Sequence, residues 1–279
     1  MKNHIVVDSG CDLSAELINS EMCTLTHIPI NLQIDDTVYK DDETFDKDAY
    51  IAHMNSSKTA VKTSAPSPGL FFEQFKIGEN VFVVTLSSKL SATYQSAVTA
   101  KDMYVDEIGK KFIHVFDSLS AGIGEGVIAM KISELLEKGK STAEVVDQVT
   151  QFIKGMNTYF IIDKFDNLVK TGRIKPYVAK VASLLNIKPI CCGENGEIKM
   201  MDKTRGYSKA IIRVVKIIKD STPDIETRII GISHVNAYER ALELKEEILK
   251  HLKPKDVIIQ ESNGTITTYA NGGGVLVAL

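Results

Sequence analysis

The sequence predicts an α/β protein: an N-terminal doubly wound parallel-sheet domain, then a C-terminal α+β domain with a mixed sheet. Three observations lead there. Short apolar, β-branched runs alternate with helical stretches through the first half, which is the rhythm of βαβ units. An Asn-Gly turn between two strand-like runs marks a hairpin in the second half. The 279 residues leave room for about two domains.

The elements follow in order. Residues 4–7 are apolar and β-branched and end in Asp-Ser-Gly, a loop signal. Residues 14–20 suit a short helix capped by Ser14, and 26–31 a second strand. Residues 46–54 read as a helix with Asp46 as cap, and 70–75 as a helix behind a Pro-containing loop, 62–69. Residues 81–86 are continuously apolar, as a buried parallel strand would be. A helix over 91–105, a strand over 112–116 and helices over 126–139 and 142–157 complete the first half, the last opened by Ser141 and Thr142. In the second half, 159–163 is a strand and 165–171 and 177–185 are helical. Strands over 188–192 and 198–202 flank the turn Glu194-Asn195-Gly196-Glu197. Helices over 206–219 and 237–252 and strands over 228–234, 257–261, 265–270 and 275–279 follow. The domains are expected at 1–157 and 158–279. Neither a low-complexity linker nor an internal repeat separates them, so they are expected to pack tightly.

Composition narrows the function. With 33 Lys+Arg against 36 Asp+Glu the net charge is −3, and 44% of residues are apolar. Mean hydropathy is −0.02. Disorder is excluded by the apolar fraction and low charge. A nucleic-acid partner is not expected, because no basic stripe exists. The apolar runs are strand-sized, well short of the roughly 20 residues a spanning helix needs. The start, residues 1–8, lacks the features of a signal peptide, so the cytoplasm is the expected location. Cys11, Cys23, Cys191 and Cys192 form no CxxC pair and are expected to be reduced thiols. The six histidines show no metal-ligand spacing, and no metal or cofactor is expected.

Several loops carry candidate chemistry. Asp8-Ser9-Gly10-Cys11-Asp12 ends the first strand, where ligands bind in a doubly wound sheet. A dehalogenase-type nucleophile would need a second carboxylate at position 10, which is Gly. Asp8 and Ser9 either cap a turn or order a neighbouring ligand loop. Two further loops are rich in hydroxyls: 62–69, with Thr63 and Ser64, and 87–96, with Ser88. They serve either as helix caps or as a neutral anion site assisted by helix N-termini. A hydroxyl without a base is a hydrogen-bonding group more readily than a nucleophile. Gly122, Gly124 and Gly126 form GxGxG rather than a dinucleotide fingerprint, and close helix–sheet packing explains them better. A Walker loop and a nucleophile elbow are both missing from the sequence. Residues 170–175, with Arg173, and 199–209, with Arg205, are basic: either solvated faces or a surface for phosphate or a partner. The Asn271-Gly272-Gly273-Gly274 stretch must turn or approach something closely.

Taken in order, these segments resemble the DegV family of bacterial fatty-acid-binding proteins, which includes the carrier component of fatty acid kinase. The matching stretches are Ile5 to Ser9 with Asp12-Leu13-Ser14; Thr63 to Pro68; Leu86 to Ala97; Asp117-Ser118 with Ser120 and Gly122-Ile123-Gly124; Gly172-Arg173-Ile174; Lys188-Pro189-Ile190; Lys203 to Gly206 with Lys209-Ala210; and the C-terminal glycine turn. The resemblance implies a DegV-like fold and a non-enzymatic carrier that holds one long-chain fatty acid in an internal tunnel. It implies Thr63, Ser64 and Ser88 as the carboxylate-binding groups, with Asp8, Ser9 and Tyr269 as head-group neighbours. It further implies a separate dihydroxyacetone-kinase-like fatty acid kinase as partner, Arg173 and Arg205 near the opening to meet kinase or phosphate, and transient contact with a membrane. The sequence departs from the family pattern at Tyr269, where His is usual, at Ala65, where Gln is usual, and at Ala92, where Gly is usual. The competing expectation is a small-molecule phosphotransferase or Ser-dependent hydrolase, which lacks a visible base, metal site or phosphate loop. A carrier of another apolar acid is a third. Part of the apolar fraction is therefore expected to face a tunnel rather than a core.

Overall fold

The computed structural model describes residues 3–279. Met1 and Lys2, which the signal-peptide expectation includes, lie outside the described residues. The first half runs β1 (Asn3–Asp8), β2 (Cys23–Ile28), β3 (Asn31–Ile34), β4 (Thr37–Lys40), α1 (Lys47–Ser56), β5 (Lys62–Ser64), α2 (Pro68–Phe75), β6 (Asn80–Thr85), α3 (Thr93–Glu107), β7 (Phe112–Asp117), α4 (Ile123–Glu137) and α5 (Thr142–Gly155). The second runs β8 (Thr158–Ile161), α6 (Asp166–Lys170), α7 (Pro176–Ala182), β9 (Ile187–Glu194), β10 (Glu197–Arg205), α8 (Tyr207–Ser221), β11 (Ile229–His234), α9 (Tyr238–His251), β12 (Asp256–Glu261), α10 (Gly264–Ala270) and β13 (Val275–Ala278).

The expected fold class holds. A four-stranded sheet, ordered β2-β1-β6-β7, is parallel throughout. All six residues of β1 are buried, because both faces of the sheet are covered. Ile5, Val7, Phe82 and Val84 join α4 and α5 in one core. Val6, Val81 and Val83 join α2 and α3 in another on the opposite face. The chain winds outward to β2 and then returns to β6 on the other side of β1. The sheet therefore changes direction between β1 and β6, and the loops that follow these two strands open onto that point.

The second sheet has six strands, ordered β10-β9-β8-β13-β11-β12, and is mixed: β11 and β12 are parallel and the other pairs antiparallel. Helix α4 lies between the two sheets. Glycine at 231 lets it lie flush on β11, since a Cβ there would come 2.5 Å from Ile123 Cγ1. The α4 core is continuous with Cys191, Leu276 and Ala278 of the second sheet. The expected helix–sheet packing is seen at Gly122 and Gly124, where a Cβ would come 3.0 Å from Leu276 Cδ2 of β13 and 3.2 Å from Thr158 Oγ1 of β8, while Gly126 packs on Leu13 in a loop. The Asn195-Gly196 turn has positive φ at both residues, 52° and 82°, as a two-residue hairpin requires. Ser141 and Glu144 form a capping box at the start of α5. All four cysteines are buried and unpaired.

Three expectations need correction. Residues 265–270 are helix α10, not a strand. The run of Thr and Ile reads as β by propensity, but the Asp41 carboxylate accepts from the Gly264 N–H (2.8 Å) and the Thr265 N–H (2.7 Å) and caps a helix from afar. The loop at 62–69 begins with strand β5, which joins β3 and β4 in a small antiparallel sheet that the sequence does not announce. β3 alternates, with Leu32 and Ile34 buried, but over only four residues, and β5 is three polar residues with no alternation to read. The helix expected over 14–20 shrinks to one 3-10 turn, Ala15–Leu17, still capped by Ser14. No helix among the described residues is long and apolar enough to cross a membrane.

Candidate functional site

At the switch point of the parallel sheet, side chains tie three loops together. Asp8 ends β1; its Oδ1 accepts from the Gly10 N–H and its Oδ2 from the Leu86 N–H, both at 2.8 Å. Ser9 Oγ accepts from the Ile30 N–H at 3.0 Å and meets Thr265 Oγ1 at 3.3 Å. Asp117, at the end of β7, accepts from the N–H groups of Ser88 (3.0 Å) and Leu119 (3.2 Å). Ser87 donates to the Gly196 carbonyl at 2.8 Å and so fastens the β9–β10 hairpin tip beneath the loop after β6. A side chain at 196 would strike Ser87, with Cβ 2.5 Å from its Oγ.

Between these loops and the second sheet lies a cavity of about 240 Å³. Its walls are mainly apolar, with Leu86, Leu90, Phe160, Ile162, Ile198 and Leu276 among the lining residues. An enclosure that size far exceeds the space one water requires and offers most of its surface to hydrocarbon. Three polar side chains meet in its wall. Thr63 Oγ1 and Tyr269 OH are 2.8 Å apart. The Arg173 guanidinium sits over the Tyr269 ring, 5.6 Å from its centroid, and donates through Nε to the Leu90 carbonyl at 3.2 Å. Ser91, also lining, shares a 2.8 Å hydrogen bond with Thr93.

The candidate residues divide. Thr63, Tyr269 and Arg173 come together in the cavity wall. Asp8 and Ser9 are buried and brace the loops behind it. Ser64 and Ser88 are exposed and do not line it. On β5 successive side chains alternate, so Thr63 points in where Ser64 points out. On the next loop the lining hydroxyl is Ser91, three residues beyond Ser88. Arg205 is exposed at the end of β10, away from the cavity lining. Ser91, Ser120, Thr158 and Thr265 are lining hydroxyls that sequence reasoning did not single out; only Ser91 belonged to a loop already rich in hydroxyls.

Helix α10 carries Tyr269, and distant residues hold it in place. Besides its two N–H bonds, Asp41 accepts from Thr265 Oγ1 at 2.6 Å. Tyr50 OH meets Thr268 Oγ1 at 2.7 Å, and Asn167 donates to the Thr268 carbonyl at 2.8 Å. Asp41 belongs to a set of buried acids with Asp8, Asp12 and Glu125. Burial, opposed by hydrogen bonds from Leu86 and Gly10, pushes the Asp8 carboxyl up to about 7. Burial does the same to Asp12, again to about 7, and raises Asp41 and Glu125. Among the described residues both Glu125 oxygens lack a partner at hydrogen-bond distance, and the nearby Gly122 backbone offsets little of the burial. Among the described residues no group of His, Cys, Asp or Glu is arranged to hold a metal ion.

Comparison with known proteins bears on this site. Residues 2–278 match the family described as "Uncharacterised protein, DegV family". A DegV domain-containing protein of Streptococcus pyogenes serotype M1 is 34% identical over 279 residues, covering 98% of this chain and 97% of the relative. Among solved structures, a DegV family protein from Ruminococcus gnavus, refined with vaccenic acid, superposes with a TM-score of 0.94 at 34% identity, covering 99% of each chain. The Streptococcus pneumoniae Fatty Acid Kinase B3 protein, loaded with linoleic acid, superposes with a TM-score of 0.93 at 30% identity, covering 100% of this chain and 99% of its own.

Proposed function

The chain belongs to the DegV family, and on that premise we propose that it is a carrier that encloses a long-chain fatty acid. The observation that carries the proposal is the mainly apolar cavity with Thr63, Tyr269 and Arg173 brought together in its wall. Thr63 and Tyr269 hold the carboxylate, with Ser91 in the place first given to Ser88. Ser64 and Ser88 are not part of this head-group set, because both face solvent. Neutral donors bind a carboxylate without fully quenching its charge, so its oxygen stays nucleophilic. Arg173, stacked on Tyr269, steadies that ring and makes the opening more positive. The tail supplies the affinity: at ~0.8 kcal/mol per buried CH₂, a 16-carbon acid gains on the order of 10 kcal/mol gross.

The finer steps belong to the same proposal. A separate ATP-dependent fatty acid kinase, of the dihydroxyacetone-kinase-like kind, phosphorylates the presented carboxylate, and the carrier itself does no chemistry. Arg205, exposed and basic, is the contact offered to that kinase. Loading from a membrane surface and work in the cytoplasm follow from that role. Thr63 bonds Tyr269, Ser91 bonds Thr93 and Ser120 bonds Thr158, and among the described residues none of them is paired with a His base, which disfavours a Ser-dependent hydrolase. Native mass spectrometry of the purified protein is the test. Co-purifying fatty acid, or uptake of palmitate or oleate at one per chain after delipidation, is the expected result. Absence of both overturns the proposal.

A further inference from the structure

Two hydroxyls stand in the cavity wall away from its head-group end. Ser120 lies on the turn between β7 and α4, and Thr158 begins β8. Both are buried, both line the cavity, and their Oγ atoms are 2.7 Å apart. Their position along the cavity follows from strand geometry. Thr158, Phe160 and Ile162 alternate onto one side of the extended chain, and all three line the cavity. Ile162 packs at Gly274, beside the end of the helix that bears Tyr269, where a Cβ would come 3.2 Å from Ile162 Cγ2. Four residues of extended chain then place Thr158 roughly 13 Å farther along the wall. That is the level of the middle of a long acyl chain, not of its carboxylate.

Hydrogen accounting gives this pair its significance. Each hydroxyl brings one hydrogen, and their mutual bond uses one of the two. Among the described residues neither Oγ has a further partner. The nearby Ser120 carbonyl is already occupied, by Ser118 Oγ at 3.2 Å and the Ser87 N–H at 2.9 Å. One hydroxyl hydrogen is left facing a stretch lined by Leu119, Phe160 and Leu276. A plain alkyl chain offers it nothing, and a buried donor without an acceptor is unfavourable. Two apolar residues would serve a saturated tail better.

We infer that Ser120 and Thr158 form a subsite for an oxygen function midway along the ligand, so that the preferred cargo is a hydroxy- or oxo-fatty acid. A mid-chain oxygen accepts the spare hydroxyl hydrogen, and a ligand hydroxyl can donate back to the pair. The inference rests on the fatty-acid reading and narrows its ligand class.

The test is a competition, read by native mass spectrometry on the delipidated full chain, between stearic acid and hydroxystearic acids substituted at successive mid-chain positions. One isomer should outcompete stearic acid by about five- to tenfold, the worth of one hydrogen bond. Thr158→Val should erase that preference, bringing the hydroxy acids level with stearic acid in the same variant, while Thr158→Ser should retain the preference. If Thr158→Val does not fold, Ser120→Ala is read in the same way. The inference is overturned if no isomer exceeds stearic acid by more than about twofold, or if the preference survives in the folded variant. It is equally overturned if Thr158→Val weakens stearic acid as much as the hydroxy acids, which would make the pair a carboxylate site. Failure of every acid to bind, stearic acid included, instead brings down the fatty-acid reading and this inference with it.

Discussion

Raising the pH from 5 to 8 should destabilise this protein. Asp8 and Asp12 are fully buried, and burial, only partly offset by backbone and side-chain donors, carries each from 3.8 to about 7. A carboxyl whose folded value lies above its unfolded one binds its proton more tightly when folded. Stability is therefore lost as pH rises from about 4 through 7, at about 4 kcal/mol per group over the whole window and about 3 kcal/mol between pH 5 and 8. Asp41 raises Asp8 and Asp12, and these two in turn raise Glu125, so the four carboxyls titrate as a coupled set. His27 and His114, lowered by burial, act in the opposite direction over the same range. At lower pH, Glu134 and Glu261 dominate. Burial would raise both, but ion pairs of Glu134 with Lys138 and Lys255, and for Glu261 a His234 hydrogen bond and a Lys47 ion pair, hold them at about 2, so their contribution is lost on acidification. Stability should peak near pH 5. Urea unfolding of delipidated protein at pH 5, 6, 7 and 8 measures the slope, with a net loss of at least about 2 kcal/mol expected by pH 8. Asp12→Asn should flatten it. The Asn amide can accept from the Asn263 N–H through its oxygen and donate to Ser262 Oγ, whose hydroxyl rotates to suit. Stability that is flat or rising from pH 5 to 8, or a slope unchanged in Asp12→Asn, would refute the buried-acid reasoning.

Other perturbations probe separate parts of the molecule. Glu125→Gln removes a buried carboxyl whose ionisation burial opposes, and should raise the unfolding midpoint more at pH 8 than at pH 5. Thr63→Val and Tyr269→Phe should each weaken palmitate binding by about tenfold or more, the worth of a hydrogen bond to a charged group, with little change in melting temperature; calorimetric titration separates the two effects. Gly231→Ala drives a methyl to 2.5 Å from Ile123 Cγ1 and should cost about 1–3 kcal/mol in urea unfolding, while fatty-acid stoichiometry stays the same.

Much of the fold was legible because its signals are local. The run Val81 to Leu86 announced a strand buried on both faces, and Asn195-Gly196 announced a hairpin. Ser141 and Thr142 announced a helix start, which the structure closes with a capping box between Ser141 and Glu144. The site was legible only to the level of its loops. Both hydroxyl-rich loops reach the cavity, but the choice of Thr63 over Ser64 and of Ser91 over Ser88 depends on which face of the chain turns inward. That choice for Thr63 is made by pairing with β3, because β5, three polar residues long, carries no periodic trace of its own.

The sequence by itself determined the alternation of strands and helices, the two kinds of sheet, the hydroxyl-rich loops and the family. Each of these is written in neighbouring residues, through apolar spacing, turn chemistry and caps. Only the tertiary structure decided that residues 264–270 coil rather than extend, because the deciding carboxylate, Asp41, lies 223 residues before the Gly264 N–H that it caps. The same folding placed Tyr269 against Thr63, across 206 residues, and Thr158 against Ser120, across 38. Hydrogen bonds between such distant positions form only once packing has brought the loops together, so no local pattern can record them.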